Sequence, residues 1–198
     1  MDTSTLHATT EAFASYLSEV TPGDLAFATP CEGWDVSDLY RHMLVENVHF
    51  GLAVTGDHDA PDELIHTMTA PASESRAHSD GALEARYRRS ASFMEEAFAS
   101  ATDPHQMREV AGASGYRTIH DLYEMQLCDT VIHTWDLTRA IGFTYEADSE
   151  VADTVLRLLE ALPDAARGGG EAFGPVRSSV NQDHSVLERI ILLSGRTI

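Results

Sequence analysis

Residues 118–142 read TIHDLYEMQLCDTVIHTWDLTRAIG, and the character of this stretch decides the fold. Thr118, with Asp121 three positions on, has the pattern of a capping box at a helix start, and Gly142 that of a helix stop. Between them apolar side chains fall on nearly every side, among them Leu127, Val131, Ile132, Trp135 and Leu137. A surface helix keeps one wet face, whereas a helix that is apolar all round belongs at the centre of a bundle. One stripe departs from this. Leu122, Gln126, Asp129, His133, Asp136 and Ala140 succeed one another by three or four and so share a face, and four of these six are polar. Burying such a stripe is unfavourable unless something satisfies it.

Working outward, the rest of the chain is also helical. Leu6, Thr10, Phe13, Leu17 and Val20 place one helix within residues 3–20, broken by Thr21-Pro22-Gly23. Asp35, with Asp38 three residues later, caps a second that runs to about Thr55 before Gly56. Leu83, Tyr87, Ser90, Met94, Ala97 and Ala101 mark a third, ended by Asp103-Pro104. After the central helix, Val151, Val155, Leu158, Leu159 and Leu162 indicate a fifth, limited by Pro163, and Ser185 with Glu188 caps a short last one closed by Gly195. Residues 57–79 read as a long loop with one helical turn around Glu63 to His66, residues 104–117 as an extended or lid-like segment, and residues 163–182 as a glycine-rich connection. The expectation is an all-α protein, with residues 1–162 as the helical body and residues 163–198 as a short extension packed on it rather than a second domain.

Composition narrows the function classes. The 198 residues suit one domain, and the formal charge of −19 arises from 32 acidic against 13 basic residues, every basic one an arginine. Without lysine there is no Schiff-base chemistry and no phosphate-loop lysine. So acidic a chain repels nucleic acid and anionic lipid, and neither is expected as a partner. No apolar run approaches the roughly 18 residues of a membrane span, and the start, Met1-Asp2-Thr3-Ser4-Thr5, lacks the charged and apolar regions of a signal peptide; a cytoplasmic protein is expected. Cys31 and Cys128 are then expected to be free thiols. Oligomeric state is left open, a homodimer included.

The polar stripe carries the candidate chemistry. Asp129 and His133, at i and i+4, can present a carboxylate oxygen and an imidazole nitrogen to one point, as metal sites in bundle cores do. On the second helix His42 sits among Leu39, Met43, Leu44 and Val45, where an unpaired imidazole is unfavourable, while Glu46 and His49 on the same face can reach solvent or line the site mouth. The alternative is that the stripe is satisfied by hydrogen bonds alone. Asp136 lies on the same stripe, as a further ligand candidate or as a partner of Arg139; Trp34 and Trp135 read as packing anchors and Cys128 as a small core residue turned away from Asp129.

Pro30-Cys31-Glu32-Gly33-Trp34-Asp35-Val36-Ser37-Asp38-Leu39 followed by His42, with the run from Asp129 to Gly142 far downstream, resembles the metal-binding domain of mycothiol-dependent maleylpyruvate isomerases and their actinobacterial relatives, within the wider DinB/YfiT-like group. Phe173-Gly174-Pro175 and the segment Leu187 to Arg196 are similar to the short tail of one branch of those relatives. The resemblance implies a DinB-like four-helix bundle with extra short C-terminal helices. It further implies a divalent metal held by a histidine of the second helix and two ligands four residues apart on a later helix, which here are His42, Asp129 and His133. The carboxylate is commonly glutamate in the isomerase and histidine in other branches, so Asp129 is a shorter variant whose reach is a matter for the structure. Zinc is the default ion, with nickel, iron or manganese as alternatives. Two imidazoles and one carboxylate leave a position open, which suits activation of a low-molecular-weight thiol such as mycothiol, as co-substrate, toward a small electrophile in transfer, conjugation or isomerisation. The other functional readings are an accessory or stress protein with a structural ion, and a metal-free helical scaffold. No catalytic residue is assigned by the sequence.

Overall fold

The computed structural model describes residues 1–57, 66, 82–109, 115–164, 167, 173–176, 180–181 and 183–198. Four helices form an all-α bundle: α1 (Ser4–Leu17), α2 (Val36–Thr55), α3 (Ala82–Ser100) and α4 (Ile119–Ile141). Helix α1 packs on α3 and α4, and α2 packs on the same two, so neighbours around the bundle run α1, α3, α2, α4. Two shorter helices follow, α5 (Ser149–Ala161) against α4, and α6 (Val186–Leu193) against α5. Among the described residues no helix is long and apolar enough to cross a membrane.

Local chemistry starts the helices where the sequence places them. The Asp35 carboxylate accepts the Asp38 N–H at 2.8 Å and the Thr118 hydroxyl accepts the Asp121 N–H at 3.0 Å; the third-position carboxylate returns the bond in each case. Ser185 and Glu188 close the same reciprocal box on α6. Each satisfies two N–H groups that a helix start would otherwise leave orphaned. Helix α4 ends with Gly142 in the left-handed region, at φ 79°. The extended segment ahead of α4 is a small antiparallel pair, β1 (Met107–Glu109) with β2 (Tyr116–Thr118), in which Arg108 faces Arg117. The expected helical turn at residues 63–66 and most of the loop at 57–79 lie outside the described residues, as do residues 110–114 and most of 163–182.

Helix α4 is the buried centre. Residues 126–138 are all buried except Asp129. One apolar cluster joins its Val131, Ile132 and Trp135 to Phe98 of α3, Val155 and Leu159 of α5, and Ile190 and Ile191 of α6. A second surrounds Leu137 with Phe13, Leu39, Met43, Leu44 and Tyr87. The last helix thus completes the core laid down by the bundle.

The chain after α6 turns sharply at Gly195, whose φ is 87° and whose Cα hydrogen side meets the Gly174 backbone so closely that an added Cβ would lie 2.8 to 3.0 Å from it. Gly195→Ala is therefore expected to destabilise the protein by about 1–3 kcal/mol, from strain and close contact together. Gly23→Ala, at φ −71° with its nearest neighbour 3.7 Å away, should stay within about 0.5 kcal/mol of wild type. Urea unfolding of both variants checks the difference.

Candidate metal centre

Two elements bring the sequence-derived residues together. His42, in the second turn of α2, points its Nε2 at Asp129 Oδ1 over 3.3 Å, and His133, one turn along α4 from Asp129, points its Nε2 at the same oxygen over 3.3 Å. The two imidazole centroids lie 4.7 Å apart, edge to face. One donor atom from each of the three residues falls within 4.8 Å of the others. The shorter aspartate side chain therefore reaches the point that the two histidines share. His49 and Glu46 do not join this group: they face each other along α2 at 3.8 Å, half-buried.

Of the remaining stripe residues, Asp136 is satisfied by protein and Gln126 only through its amide nitrogen, its Oε1 having no partner among the described residues. Gln126 donates to Asn47 of α2 at 3.1 Å, and Asn47 donates to Ser90 of α3 at 3.0 Å, all three fully buried. At the other end Asp136, also fully buried, is held by His133 and by both ends of a forked Arg196 contact. Its Oδ2 accepts from His133 Nδ1 at 2.9 Å and from Arg196 Nη2 at 2.8 Å, and Arg196 Nε donates to its Oδ1 at 3.3 Å. An ionised carboxylate only accepts, so the hydrogen of this His133 contact sits on Nδ1 and Nε2 is the nitrogen turned to Asp129. Between these two ends, Asp129 Oδ2 is buried with no hydrogen-bond partner among the described residues. A buried carboxylate oxygen without a partner is costly.

Asp129, with one oxygen facing two imidazole nitrogens and the other without a partner among the described residues, makes with His42 and His133 a donor set that fits a cation. Ligand atoms about 2.0 to 2.1 Å from a tetrahedral ion lie about 3.3 to 3.4 Å from one another, and the two Nε2–Oδ1 separations are 3.3 Å. Cys31, His133 and Asp136 form a second cluster of ligand-type atoms. It fits a cation poorly, because the Arg196 guanidinium already occupies Asp136 and the His133 nitrogen on that side carries a hydrogen.

Electrostatics follow from the same contacts. Burial alone would raise the Asp129 carboxyl, but His133 and His42 outweigh it and hold Asp129 well below the usual carboxylate range. Burial would lower His133, and the facing Asp129 and Asp136 carboxylates instead raise it well above the usual histidine range. Asp136 is likewise held low, against its burial, by His133 and Arg196.

Three features lie beyond the sequence reading. Asp136 pairs with Arg196 rather than Arg139, whose guanidinium lies 5.7 Å from the Trp135 ring centroid. Trp34 is more than a packing anchor: its ring stacks on His133 at 5.9 Å and 18° and leans on His42 at 4.9 Å, walling one side of the site. Cys31 reaches the site as well, its Sγ 3.1 Å from Arg196 Nη2 and 3.4 Å from Asp136 Oδ2. The turn that carries both is fixed by Thr29 N–H to Trp34 O at 2.9 Å and Trp34 N–H to Cys31 O at 3.1 Å, directly ahead of the α2 cap. The signal available for it was the Pro30 to Leu39 motif itself, since nothing in its periodicity singles out Cys31.

Cys128, in contrast, is a core residue; burial pushes its thiol up to about 12. Native protein treated with a chromogenic disulfide is expected to label Cys31 readily and Cys128 only on unfolding, with Cys31→Ser abolishing the native reaction. Two thiols reacting at equal rates in native protein would contradict this placement.

The profile of the mycothiol maleylpyruvate isomerase N-terminal domain matches residues 6–138. Two sequences of uncharacterized proteins from Mycobacterium tuberculosis, Rv0738 and MT0763, are each 28% identical to this chain over 196 residues, covering 95% of it and 93% of their own length. Among solved structures, a mutant of mycothiol-dependent maleylpyruvate isomerase superposes with a TM-score of 0.56 at 16% identity, over 78% of this chain. The chain spans 66% of the length of that isomerase, and the likeness is one of fold.

Proposed function

This chain belongs to the family of the mycothiol maleylpyruvate isomerase N-terminal domain, and from that premise we propose a metal-dependent enzyme that activates a low-molecular-weight thiol of the mycothiol kind. His42 and His133 through Nε2, and Asp129 through its carboxylate, hold one divalent ion, zinc first among the candidates. The observation that carries this reading is the buried Asp129 Oδ2, which has no partner among the described residues although two imidazole nitrogens converge on the same carboxylate. When bound, such an ion makes a coordinated thiol available as thiolate at neutral pH.

The chain's own residues do the rest. Asp136 accepts the Nδ1 hydrogen of His133 and so keeps the Nε2 lone pair directed to the site. Trp34 closes one side with an aromatic wall against the two imidazoles. His42 and Asp129 are each about a quarter exposed, against 8% for His133, so a small molecule has access from the side of these two. Three protein ligands leave a coordination position for the thiol. The site reading supports a small-molecule thiol and electrophile as partners and a cytoplasmic setting where thiols are kept reduced.

A second reading has its own observation. His133 bridges Asp129 and Asp136, and as an imidazolium it meets one oxygen of each carboxylate with no metal. Metal content separates the two. Protein purified without an affinity tag is expected to carry close to one equivalent of divalent ion by elemental analysis. His133→Ala and His42→Ala should abolish tight binding, whereas His49→Ala, outside the donor group, should retain it. Equal loss in all three variants, with wild type loaded, would mean that the wrong histidines are named; no ion in wild type, after reconstitution, would favour the proton-only network.

Thiol activation is tested separately. Cobalt-loaded protein is expected to change its visible spectrum when mycothiol is added, as sulfur enters the coordination shell, and the response should strengthen with rising pH because the metal takes the thiolate and a proton is released. Asp129→Ala should lose the response together with the metal, and the surface change Glu96→Ala should leave it intact. An unchanged spectrum in fully loaded protein would rule against direct thiol binding and favour a structural ion.

A further inference from the structure

Arg196 lies three residues beyond α6, yet its side chain is only 10% exposed. It joins three separated parts of the chain. Nη2 donates to Asp136 Oδ2 at 2.8 Å, Nε to Asp136 Oδ1 at 3.3 Å, and Nη2 also lies 3.1 Å from Cys31 Sγ in the loop before α2. Nη1 bonds back to the carbonyl of Ser194 at 3.2 Å, so the guanidinium is tied to its own turn. That turn is itself set by the close approach of Gly195 to Gly174.

A two-point fork fixes a carboxylate in position and in plane, which a single contact does not. Asp136 so fixed presents Oδ2 to His133 Nδ1 at 2.9 Å, and the imidazole is then held in rotation as well as in tautomer. We infer that Arg196 is a positioning residue for His133: through Asp136 it aims the His133 Nε2 at the point shared with His42 and Asp129, so that docking of the C-terminal segment sets the affinity of the centre for its ion. The inference rests on the metal reading proposed above. It also gives the segment after α6 a role in the site that packing of α6 on α5 does not require.

The test is zinc affinity of the full chain, measured by competition with a chromophoric chelator, for wild type, Arg196→Met, Arg196→Lys, Asp136→Asn and the double variant Arg196→Met/Asp136→Asn. Arg196→Met keeps most of the buried stem and should weaken zinc binding about 10- to 100-fold, the range seen when a group that orients a ligand is lost. Arg196→Lys keeps the charge without the fork and should fall between Met and wild type. Asp136→Asn should weaken binding by a factor similar to Arg196→Met, and the double variant should be little worse than the weaker single, because both act through one contact to His133. Nitrogen NMR of zinc-loaded wild type should find the His133 hydrogen on Nδ1, with that signal broadened or shifted in Arg196→Met. Thermal unfolding of the metal-free forms separates this effect from a loss of folding, and if Arg196→Met does not fold, the comparison of Arg196→Lys with Asp136→Asn decides.

Wild type that binds zinc while Arg196→Met, or Arg196→Lys in its place, binds it equally well would overturn the inference and leave the metal reading standing. A double variant whose loss is the product of the two single losses would also overturn it, since the residues would then act independently. Wild type that takes up no zinc would overturn both.

Discussion

Asp136 is a carboxylate with no exposed surface, on a helix whose flanks are Trp135, Leu137 and Ile132. Moving one ionised carboxylate out of water costs several kcal/mol even after the surroundings relax, more than the hydrophobic contribution of about 1.5–3 kcal/mol from any single apolar neighbour. The charge is tolerated because His133 and Arg196 both hydrogen-bond to it. Much of the molecule is arranged around that requirement. The chain must return after α5 and α6 to deliver Arg196, the turn at Gly195 must be tight enough to bring it in, and His133 must keep its Nδ1 hydrogen on the Asp136 side. The direction of His133 Nε2, and with it the candidate centre, follows from how a buried charge one turn away is balanced.

The sequence made the helices legible because their signals are local. Asp35 with Asp38, Thr118 with Asp121 and Ser185 with Glu188 each specify a start within four residues, and the closed boxes stand at those positions. The all-round apolar character of residues 118–142 identifies the central helix for the same reason. Convergence of His42 with Asp129 and His133 was legible at one remove: the i, i+4 geometry is local, and the awkwardness of an imidazole at position 42 among apolar neighbours points to a partner without naming it. The motif resemblance supplied the name.

Arg196 and Trp34 were not legible as parts of the site, and the physical reason differs between them. Asp136 has a local arginine at i+3, but Arg139 is exposed at the end of α4 and lies over Trp135, so it has no path to a fully buried oxygen. The partner comes instead from 60 residues away, where no spacing rule applies. Trp34 reads as core because large aromatics usually are; its contact with two imidazoles depends on the turn from Thr29 to Trp34, which folds the loop back onto α2 and leaves no periodic trace.

The three converging residues are not equivalent, and their differences bear on how such a centre would work. His133 is locked, with 8% of its side chain exposed, a carboxylate on each nitrogen and an indole on its face. His42 and Asp129 keep about a quarter of their side chains exposed, and Asp129 Oδ2 has no hydrogen-bond partner among the described residues. In such a centre, with a rigid ligand on the buried side and two less enclosed ones beside it, a fourth ligand would approach from the side of His42 and Asp129. A purely structural ion gains nothing from such asymmetry, since closed sites enclose the ion evenly with four protein ligands. Here the buried side is braced by Asp136, Arg196 and Trp34, and among the described residues no further ligand-type group joins the three on the more exposed side, an asymmetry that the proposed thiol-activating centre would use.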